Sequence, residues 1–369
     1  MRKEDNNPDS EFRCLIAGGG TGGHLFPGIA IANELKRRFK KGEILFVAGL
    51  QRKESEILSH YGYKVISIDV EGLKGRGWKK GFIVLAKLPK SLFQSASIIK
   101  AFSPDLVLGM GGYSAGPVCL AAKCAGVPTA IHEQNSYPGL TNRLLSRFVD
   151  RVFVSFEESM SYFKSKLPVL TGNPVRDEFF SDSDKNHKDR DKFTVLVVGG
   201  SQGAMAINKA FTDALTYLND KGRKFDVIHQ TGEKDYQRVI EDYRDKGLEG
   251  KPVPFIKDMA MAYRFADIVV SRAGATTIFE LAALGKPSIL IPYPHAANQH
   301  QEINARSLVR AGGAEMINQS DLTGDGLAQT LMKYMDDRPI LEKLGENAKK
   351  TGRCNAANVI ADQLVKMMR

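Results

Sequence analysis

The feature that most constrains the fold is a short apolar run that ends in glycines and leads into a helical pattern. The first such opening spans residues 15–24, which include five glycines and one threonine, and its helical pattern opens at Pro27. A second opening joins an apolar run at 195–198 to a loop at 199–204 and a helical pattern at 207–218. Such glycines permit positive φ, and the helix that follows offers unpaired N–H groups to a phosphate. Two openings predict two Rossmann-like halves that face a shared cleft.

Composition places the chain among soluble globular proteins. It has 369 residues, 43% of them hydrophobic and 25% charged, which is enough for two domains with separate cores. The four cysteines show no metal-binding spacing and are expected to be reduced core thiols. No signal-peptide core follows the polar first ten residues, and no apolar run approaches the roughly 18 residues of a membrane span. We therefore expect a cytoplasmic protein, and its net charge of +10 suggests nucleic acid or an anionic membrane as partner.

Strand and helix patterns alternate along the chain, which predicts α/β domains with parallel sheets covered by helices. The predicted strands are 14–17, 44–48, 64–69, 106–109, 129–131, 151–154, 194–198, 226–229, 253–256, 268–271 and 288–292. The main predicted helices are 29–39, 54–61, 84–101, 116–125, 141–148, 327–333 and 339–364. The predicted organisation is a disordered tail (1–12), a first Rossmann-like domain (13–175), a second Rossmann-like domain (176–350) and a helix that packs back on the first domain (351–369).

An NAD-binding fold is the first alternative, because Gly18, Gly20 and Gly23 satisfy the G-x-G-x-x-G pattern. A dinucleotide site also needs a carboxylate at the end of the second strand to hold the ribose. That strand, at 44–49, ends without one, and Glu43 lies at its other end. The pattern therefore favours a nucleotide sugar over NAD.

A third glycine loop, at 109–117, again follows a strand and opens a helix. The pair His132 and Glu133 follows the strand predicted at 129–131. Ligands of open α/β sheets bind outside the carboxyl ends of the strands, where all these segments fall. Tight turns alone would not require so many glycines, which favours close approach to a ligand. A purely structural role for some of them remains an alternative.

With these residues identified, the sequence resembles the MurG family of peptidoglycan N-acetylglucosaminyltransferases over essentially its whole length beyond the tail. The segments that carry the resemblance are 18–24 with Pro27, 110–117, 132–135, 139–142, 172–176, 199–204 and 271–277, continuing through Glu280 to His300, Gln301 and Asn304. The resemblance implies a glycosyltransferase type B fold, in which the domain at 13–175 binds the acceptor and faces the membrane and the domain at 176–350 binds the UDP-sugar. It also implies transfer of N-acetylglucosamine from UDP-N-acetylglucosamine to lipid I, which gives lipid II. Asn298 and Gln299 depart from the acidic residues frequent in the family.

The resemblance also implies a donor site. The backbone of Ile256 should read the uracil, and Glu280 should accept hydrogen bonds from the ribose hydroxyls, for which a carboxylate is suited. The alternative for Glu280 is a surface carboxylate. The other donor-site residues implied are Ser201, Arg176, Thr21, Gly22 and Gly23 for the diphosphate, Ala275, Asn135 and Gln301 for the sugar, and Thr276, Thr277, Ile278 and Phe279 in the same binding stretch.

The reaction implied is an inverting displacement at the anomeric carbon by the C4 hydroxyl of the muramoyl unit. The candidates for the general base are His24 first, then His132 and Glu133. His24 could equally bind the acceptor diphosphate as a cation. Tyr113 and Asn142 are expected to position the acceptor.

No metal or other cofactor is demanded by the sequence. Asp182 and Asp184 have the Asp-x-Asp spacing but lie in a run of polar residues at 181–191 that is typical of a solvated hinge. No such pair lies at a strand end in the donor half.

A basic and apolar stretch indicates a membrane-facing surface. No acidic residue occurs between Glu71 and Asp105. The basic residues there are Lys74, Arg76, Lys79, Lys80, Lys87, Lys90 and Lys100, and the apolar ones include Leu73, Trp78, Phe82, Ile83, Val84, Leu85, Leu88, Leu92 and Phe93. Such a face suits anionic lipid. We expect a peripheral protein on the cytoplasmic face of the plasma membrane and no nucleic-acid partner, because the stretch lacks the aromatic platforms of single-strand binders.

Two other classes of function remain open from the sequence. One is an epimerase or a type B transferase that uses the same nucleotide sugar with another acceptor. An epimerase needs no lipid, so the basic apolar stretch counts against it. The other is a non-enzymatic module that binds a nucleotide sugar or nucleic acid, for which salt-sensitive DNA binding without UDP affinity would be diagnostic.

Overall fold

The structure is a computed structural model that describes residues 11–20, 22–50, 52–70, 78–164, 167–180, 192–200 and 203–368, with side chains described in these ranges except at 52, 53 and 78–86. Several sequence-based expectations therefore lie outside the described residues. They concern Thr21, Ser201, most of the tail, the polar run at 181–191 and the first half of the basic apolar stretch.

The chain divides into two units. The first runs to Arg176 and resumes at Cys354, and the second runs from Asp177 to Arg353. Each is a parallel sheet flanked by helices, as the alternating pattern predicts.

The sheet of the first unit has seven parallel strands in the order β3-β2-β1-β4-β5-β6-β7. Their bounds are β1 (Phe12–Gly18), β2 (Gly42–Ala48), β3 (Lys64–Ser67), β4 (Leu106–Gly111), β5 (Thr129–Glu133), β6 (Arg151–Val154) and β7 (Val169–Leu170). The helices between them are α1 (Gly22–Arg38), α2 (Arg52–His60), α3 (Trp78–Phe102), α4 (Gly112–Cys124) and α5 (Leu140–Leu145). The central strands β1, β4 and β5 are buried over nearly their whole length, which explains the apolar runs of β1 and β4.

The sheet of the second unit has five parallel strands in the order β12-β11-β10-β8-β9. Their bounds are β8 (Thr194–Val198), β9 (Asp226–Gln230), β10 (Ile268–Ser271), β11 (Ser288–Leu290) and β12 (Glu315–Met316). The helices of this unit are α6 (Met205–Asp220), α7 (Tyr236–Asp245), α8 (Met259–Phe265), α9 (Ala275–Leu284), α10 (His300–Arg310), α11 (Gly324–Asp336) and α12 (Arg338–Thr351).

A further helix, α13 (Ala356–Met367), returns to the first unit and packs against α1. Ile360 and Leu364 are fully buried in the same core cluster as Ile29 of α1. An ion pair between Arg38 and Asp362 also joins the two helices. The second unit is therefore an insertion in the sequence of the first.

Element bounds differ from the predictions in places with identifiable causes. The helix predicted at 339–364 is two helices, α12 and α13, because the chain turns at residues 352–355. The strand predicted at 253–256 forms only a single bridge, between Val253 and Gln230. Helix α1 starts at Gly22 rather than at Pro27, since its first residues are glycines with no apolar periodicity. Strands β7 and β12 have two residues each and are too short for periodicity to detect.

Two further findings bear on the sequence predictions. Cys14 and Cys119 are buried, but Cys124 and Cys354 are exposed, so the prediction of core thiols is wrong for the latter pair. Across the residues that can be described, none of the helices combines the length and apolar character needed to span a bilayer.

Strand order identifies where a ligand can bind in each unit. The order reverses between β1 and β4 in the first unit and between β8 and β10 in the second. Open α/β sheets bind ligands at such a switch point, beyond the carboxyl ends of the strands. The glycine loops follow β1, β4 and β8, and the Gly274 loop follows β10. Each unit therefore has its glycine-rich loops at its own switch point.

Candidate active-site residues in the two units

Two glycine loops of the first unit pack against each other. Gly112 has φ +77°, and a Cβ there would lie 2.5 Å from the carbonyl oxygen of Gly19. Gly111 has φ +89°, and a Cβ there would lie 3.2 Å from Cε1 of His24. These glycines are therefore required by close packing, and their absent side chains leave room for the His24 ring. Gly22 and Gly23 are the first residues of α1, where backbone N–H groups have no partner within the helix.

A buried glutamine connects two histidines of the first unit. Nε2 of Gln134 donates to the carbonyl oxygen of Met110 at 3.0 Å and lies 3.1 Å from Nδ1 of His132. Oε1 of Gln134 lies 2.8 Å from Nδ1 of His24. Nε2 of His132 lies 3.1 Å from the carbonyl oxygen of Gly172. Because Oε1 can only accept, the pattern assigns a proton to Nδ1 of His24 and leaves its Nε2 with a lone pair.

His132 is a buried, neutral member of this network. It has 0% relative exposure, and burial lowers its pKa to about 4. Its two ring nitrogens face Gln134 and Gly172. His24 is only partly buried, so of the two histidines it is the one that a substrate can reach.

Glu133 is a buried carboxylate with several internal donors. It accepts from the backbone N–H of Asn135 at 2.9 Å, from that of Gly139 at 3.0 Å and from Nδ2 of Asn142 at 2.9 Å. Nδ2 of Asn142 also donates to the carbonyl oxygen of His132. The carboxylate thus holds the loop at 134–139 and the first turn of α5 to the end of β5. Tyr113, at the start of α4, is exposed.

Arg176 ends the first unit and is nearly buried. Its guanidinium lies 4.1 Å from the ring centroid of Phe26 and donates to the hydroxyl of Tyr61 at 3.0 Å.

Glu54, which belongs to no motif, accepts a hydrogen bond from the backbone N–H of Gly20, and burial raises the pKa of its carboxyl. One amide of the first glycine loop is therefore bound internally.

The glycine loop of the second unit packs against the end of β9. Gly203 has φ +75°, and a Cβ there would lie 2.2 Å from the carbonyl oxygen of Thr231. Only glycine fits this position, because the chain passes so close to the end of β9 before it enters α6. The N-terminus of α6 follows directly and can stabilise an anion.

Glu280 lies in the second turn of α9 and is 6% exposed. The hydroxyl of Tyr263 donates to its Oε2 at 3.4 Å. The alternative of an exposed surface carboxylate is therefore wrong. Elsewhere in this stretch Ala275, Ile278 and Phe279 are buried, whereas Thr276 and Thr277 are partly accessible.

Ile256 and Gln301 both have internal partners. The backbone N–H of Ile256 donates to Oε1 of Gln230 at 2.9 Å, beside the exposed ring of Phe255. Oε1 of Gln301 accepts from the backbone N–H of Tyr293 at 2.9 Å.

Sequence reasoning does not find three supporting residues, because their partners are distant in the chain. They are Gln134, Gln230 and Tyr263. Within the described ranges, no group of three or more His, Cys, Asp or Glu residues is arranged to hold a metal ion.

Comparison with known proteins relates these units to a family. Residues 14–154 match the glycosyltransferase family 28 N-terminal domain, and residues 194–364 match its C-terminal domain. The chain is 47% identical over 357 residues, 97% of its length and 99% of the relative's, to a protein of Syntrophus aciditrophicus. A relative from Myxococcus xanthus is 45% identical over 97% of this chain and 93% of its own. Both are named UDP-N-acetylglucosamine–N-acetylmuramyl-(pentapeptide) pyrophosphoryl-undecaprenol N-acetylglucosamine transferase.

Solved structures give the same relationship. The crystal structure of Acinetobacter baumannii MurG superposes with a TM-score of 0.75 at 31% identity, covering 96% of this chain and 99% of that one. A UDP-N-acetylglucosamine 2-epimerase has a TM-score of 0.70 at 12% identity, covering 97% and 96%, which shows a shared fold alone. The predicted glycosyltransferase type B fold is confirmed. The chain belongs to glycosyltransferase family 28, and within it to the MurG group of glycosyltransferases.

Proposed function

We propose that the protein transfers N-acetylglucosamine from UDP-N-acetylglucosamine to the C4 hydroxyl of the muramoyl unit of lipid I, giving lipid II with inversion at the anomeric carbon. The observation that carries this proposal is identity of 47% to a transferase of that name across 97% of the chain, and so through both units. A fold shared with epimerases at 12% identity carries no comparable argument for their reaction.

Most of the residues assigned to the donor lie in the second unit, although Arg176 ends the first. Glu280 is an acceptor-only group in a nearly buried position, which suits hydrogen bonds from the ribose hydroxyls. The N-terminus of α6 is assigned to the developing charge on the departing UDP, together with Ser201, which lies outside the described residues. Arg176 is assigned to the same diphosphate. The backbone of Ile256 is assigned to the uracil.

The remaining assignments to the donor depend on which groups are accessible. The backbone at Ala275, the partly accessible Thr276 and Thr277, and the amide nitrogen of Gln301 are assigned to the sugar. Asn135 is assigned to the sugar as well, and the amides of Gly22 and Gly23 at the start of α1 to a phosphate group. The buried side chains of Ile278 and Phe279 shape α9 from within.

The first unit supplies the base. Nε2 of His24 takes the proton of the C4 hydroxyl as its oxygen bonds to the anomeric carbon and the bond from that carbon to UDP breaks. The imidazolium so formed keeps its Nδ1–H on Gln134. His132 and Glu133 act as positioning residues, since their polar atoms bind inside the protein. Tyr113 positions the acceptor from the exposed start of α4, and Asn142 shapes the same region through Glu133.

The proposed membrane contact lies on the first unit, where α4 packs against both α3 and α5. On α3, Phe93 is 76% exposed, and Lys90 and Lys100 share its helical face at spacings of three and seven residues. The exposed side chains of Leu140, Leu144 and Phe148 form a second apolar row, along α5 and the turn after it.

Charge on this surface is partly compensated. Nζ of Lys90 lies 2.7 Å from a carboxylate oxygen of Asp69, and Lys87 also pairs with that carboxylate. The ammonium of Lys90 holds the pKa of Asp69 below its usual value. The apolar rows and the exposed Lys100 support peripheral attachment to anionic lipid, which we assign to the cytoplasmic side of the membrane. We expect no nucleic-acid partner, because the sequence of this stretch lacks the aromatic platforms of single-strand binders.

A transfer assay tests the reaction. Purified protein with radiolabelled UDP-N-acetylglucosamine should label a lipid I analogue, release UDP in equal amount and leave a simpler sugar acceptor unlabelled. Epimerisation of the donor without any acceptor, or no turnover at all, would contradict the proposal.

A vesicle assay tests the surface. Co-sedimentation should be stronger with phosphatidylglycerol vesicles than with phosphatidylcholine alone, and the L144S/F148S double variant should lose most of this binding. Ile340→Ser, which removes an exposed apolar side chain from α12 of the second unit, is the matched control and should bind normally. Equal binding by all three proteins would place the contact elsewhere.

A further inference from the structure

Gln230 is the last residue of β9 and is almost fully buried. Beside it on the sheet, Val198 of β8 pairs in parallel on one side and Val253 forms the isolated bridge on the other. The chain continues from Val198 into the glycine loop and from Val253 toward Ile256. Gln230 therefore lies between the two segments assigned to the donor nucleotide.

The side chain of Gln230 bonds to both segments. Its Nε2 donates to the carbonyl oxygen of Gly200 at 3.1 Å. Its Oε1 accepts from the backbone N–H of Ile256 at 2.9 Å. Because one partner is an acceptor and the other a donor, only one orientation of the amide satisfies both.

Backbone hydrogen bonds join the residues after β9 to the second segment, but only at its start. The N–H groups of Thr231 and Gly232 donate to the carbonyl oxygens of Val253 and Pro254, at 3.0 and 3.1 Å. These bonds fix the start of the second segment but stop short of Ile256. Among the described hydrogen bonds, the N–H of Ile256 is held to this edge of the sheet by donating to the side chain of Gln230.

We propose that Gln230 is a positioning residue that sets the separation between the diphosphate loop and the base-reading segment, and so favours ligands that contact both. This inference rests on the proposed function, because it takes the donor to be a nucleoside diphosphate. A ligand that contacts both segments binds more tightly when their separation is already fixed, whereas a nucleoside alone contacts only one of them. Preorganisation of this kind lowers the cost of ordering the site on binding.

The test compares Gln230→Met, which keeps the length of the side chain and removes both hydrogen bonds, with the wild-type protein. Calorimetric titration with UDP should show binding roughly tenfold weaker in the variant, the factor expected for the loss of hydrogen bonds of ordinary strength. The affinity for uridine should change less than twofold. In the transfer assay the KM for the sugar donor should rise by a similar factor, with kcat and the KM for the acceptor within twofold of wild type.

Two further variants separate positioning from stability. Gln230→Glu keeps an acceptor for Ile256 and loses the donor to Gly200, so it should also weaken UDP binding. Tyr243→Phe is the matched control, since it removes a buried hydrogen bond to His229 in the same unit without touching either segment. It should lower the melting temperature and leave UDP affinity unchanged.

The outcomes are distinguishable. If wild-type protein fails to bind UDP, the proposed function fails and this inference fails with it. If wild type binds UDP and Gln230→Met binds it equally well, the inference alone is overturned. Tighter binding by Gln230→Met would also overturn it, because Gln230 would then be competing with the base for the N–H of Ile256.

Discussion

Nδ1 of His24 lies 2.8 Å from Oε1 of Gln134, and this contact determines which ring nitrogen of His24 is available to a substrate. The amide of Gln134 cannot rotate to offer its NH₂ group instead, because that group donates to the carbonyl oxygen of Met110. The network therefore selects the tautomer of a neutral histidine that keeps its lone pair on Nε2.

Gln134→Leu should lower kcat by about tenfold, because a tautomer fixed by one hydrogen bond becomes free to change. The KM for the sugar donor should stay within twofold. Steady-state kinetics with both substrates varied measures the split. Ser159→Ala, which removes another buried hydrogen bond from the same unit, is the control and should keep wild-type turnover. An unchanged kcat in Gln134→Leu would show that the tautomer does not matter.

His24→Ala should lower kcat at least a hundredfold, the lower range for loss of a general base. Its affinity for UDP should remain near wild type, because the residues assigned to ribose and uracil lie in the other unit. Single-turnover transfer and UDP titration on the same preparation give both quantities. Wild-type turnover would remove His24 from the mechanism.

Glu280→Gln should weaken UDP binding by roughly tenfold, since the amide donates where the ribose hydroxyls need an acceptor. The wild-type protein should prefer UDP to 2′-deoxy-UDP, and the variant should lose most of that preference. Competition titration with the two nucleotides measures the effect. Glu342→Gln changes an exposed carboxylate of α12 and should behave as wild type. A preference that survives in Glu280→Gln would show that the ribose lies elsewhere.

Acid should destabilise the second unit through His229. Burial lowers the pKa of this histidine from 6.5 to about 3, while Asp235 opposes the shift. Between those values the unfolded chain binds the proton and the folded unit does not, so stability is complete above pH 6.5 and falls as the pH drops. From pH 7 to pH 5 the loss should be about 2 kcal/mol, at 1.4 kcal/mol per pH unit below 6.5.

Hydrogen exchange of peptides from β9 and α7 at the two pH values measures that loss. His229→Gln should be less stable at pH 7, because it disturbs bonds to Tyr243 and Asn208, but it should lose about 2 kcal/mol less on acidification. An equal acid loss in both proteins would assign the effect to other groups.

The sequence predicted the parts of the molecule that local pattern controls. The loops after β1 and β8 could be recognised because a buried strand, a glycine cluster and a helix follow one another within a few residues. The segment at 253–256 fits the alternation of strands and helices, yet it pairs only through Val253, because the chain leaves the sheet edge toward α8.

The supporting residues of the site could not be predicted in this way. Gln134 lies in one of the segments that carry the family resemblance, but nothing local indicates its role, since its partners Met110 and His24 are 24 and 110 residues away along the chain. Gln230 and Tyr263 carry no motif, and Glu54 meets Gly20 only because α2 packs beside the first loop. Their functions depend on which elements the fold brings together, and single-sequence periodicity does not contain that information.

The return of α13 to α1 has a consequence for synthesis on the ribosome. Residues 177–353 emerge as a continuous stretch and hold the whole of one sheet, so this unit can complete its core before translation ends. The earlier residues must wait for Ile360 and Leu364 before the apolar side of α1 is covered. A nascent chain stalled before α13 would therefore carry a completed second unit and an incomplete first unit, whose uncovered apolar side of α1 is the kind of surface that chaperones bind.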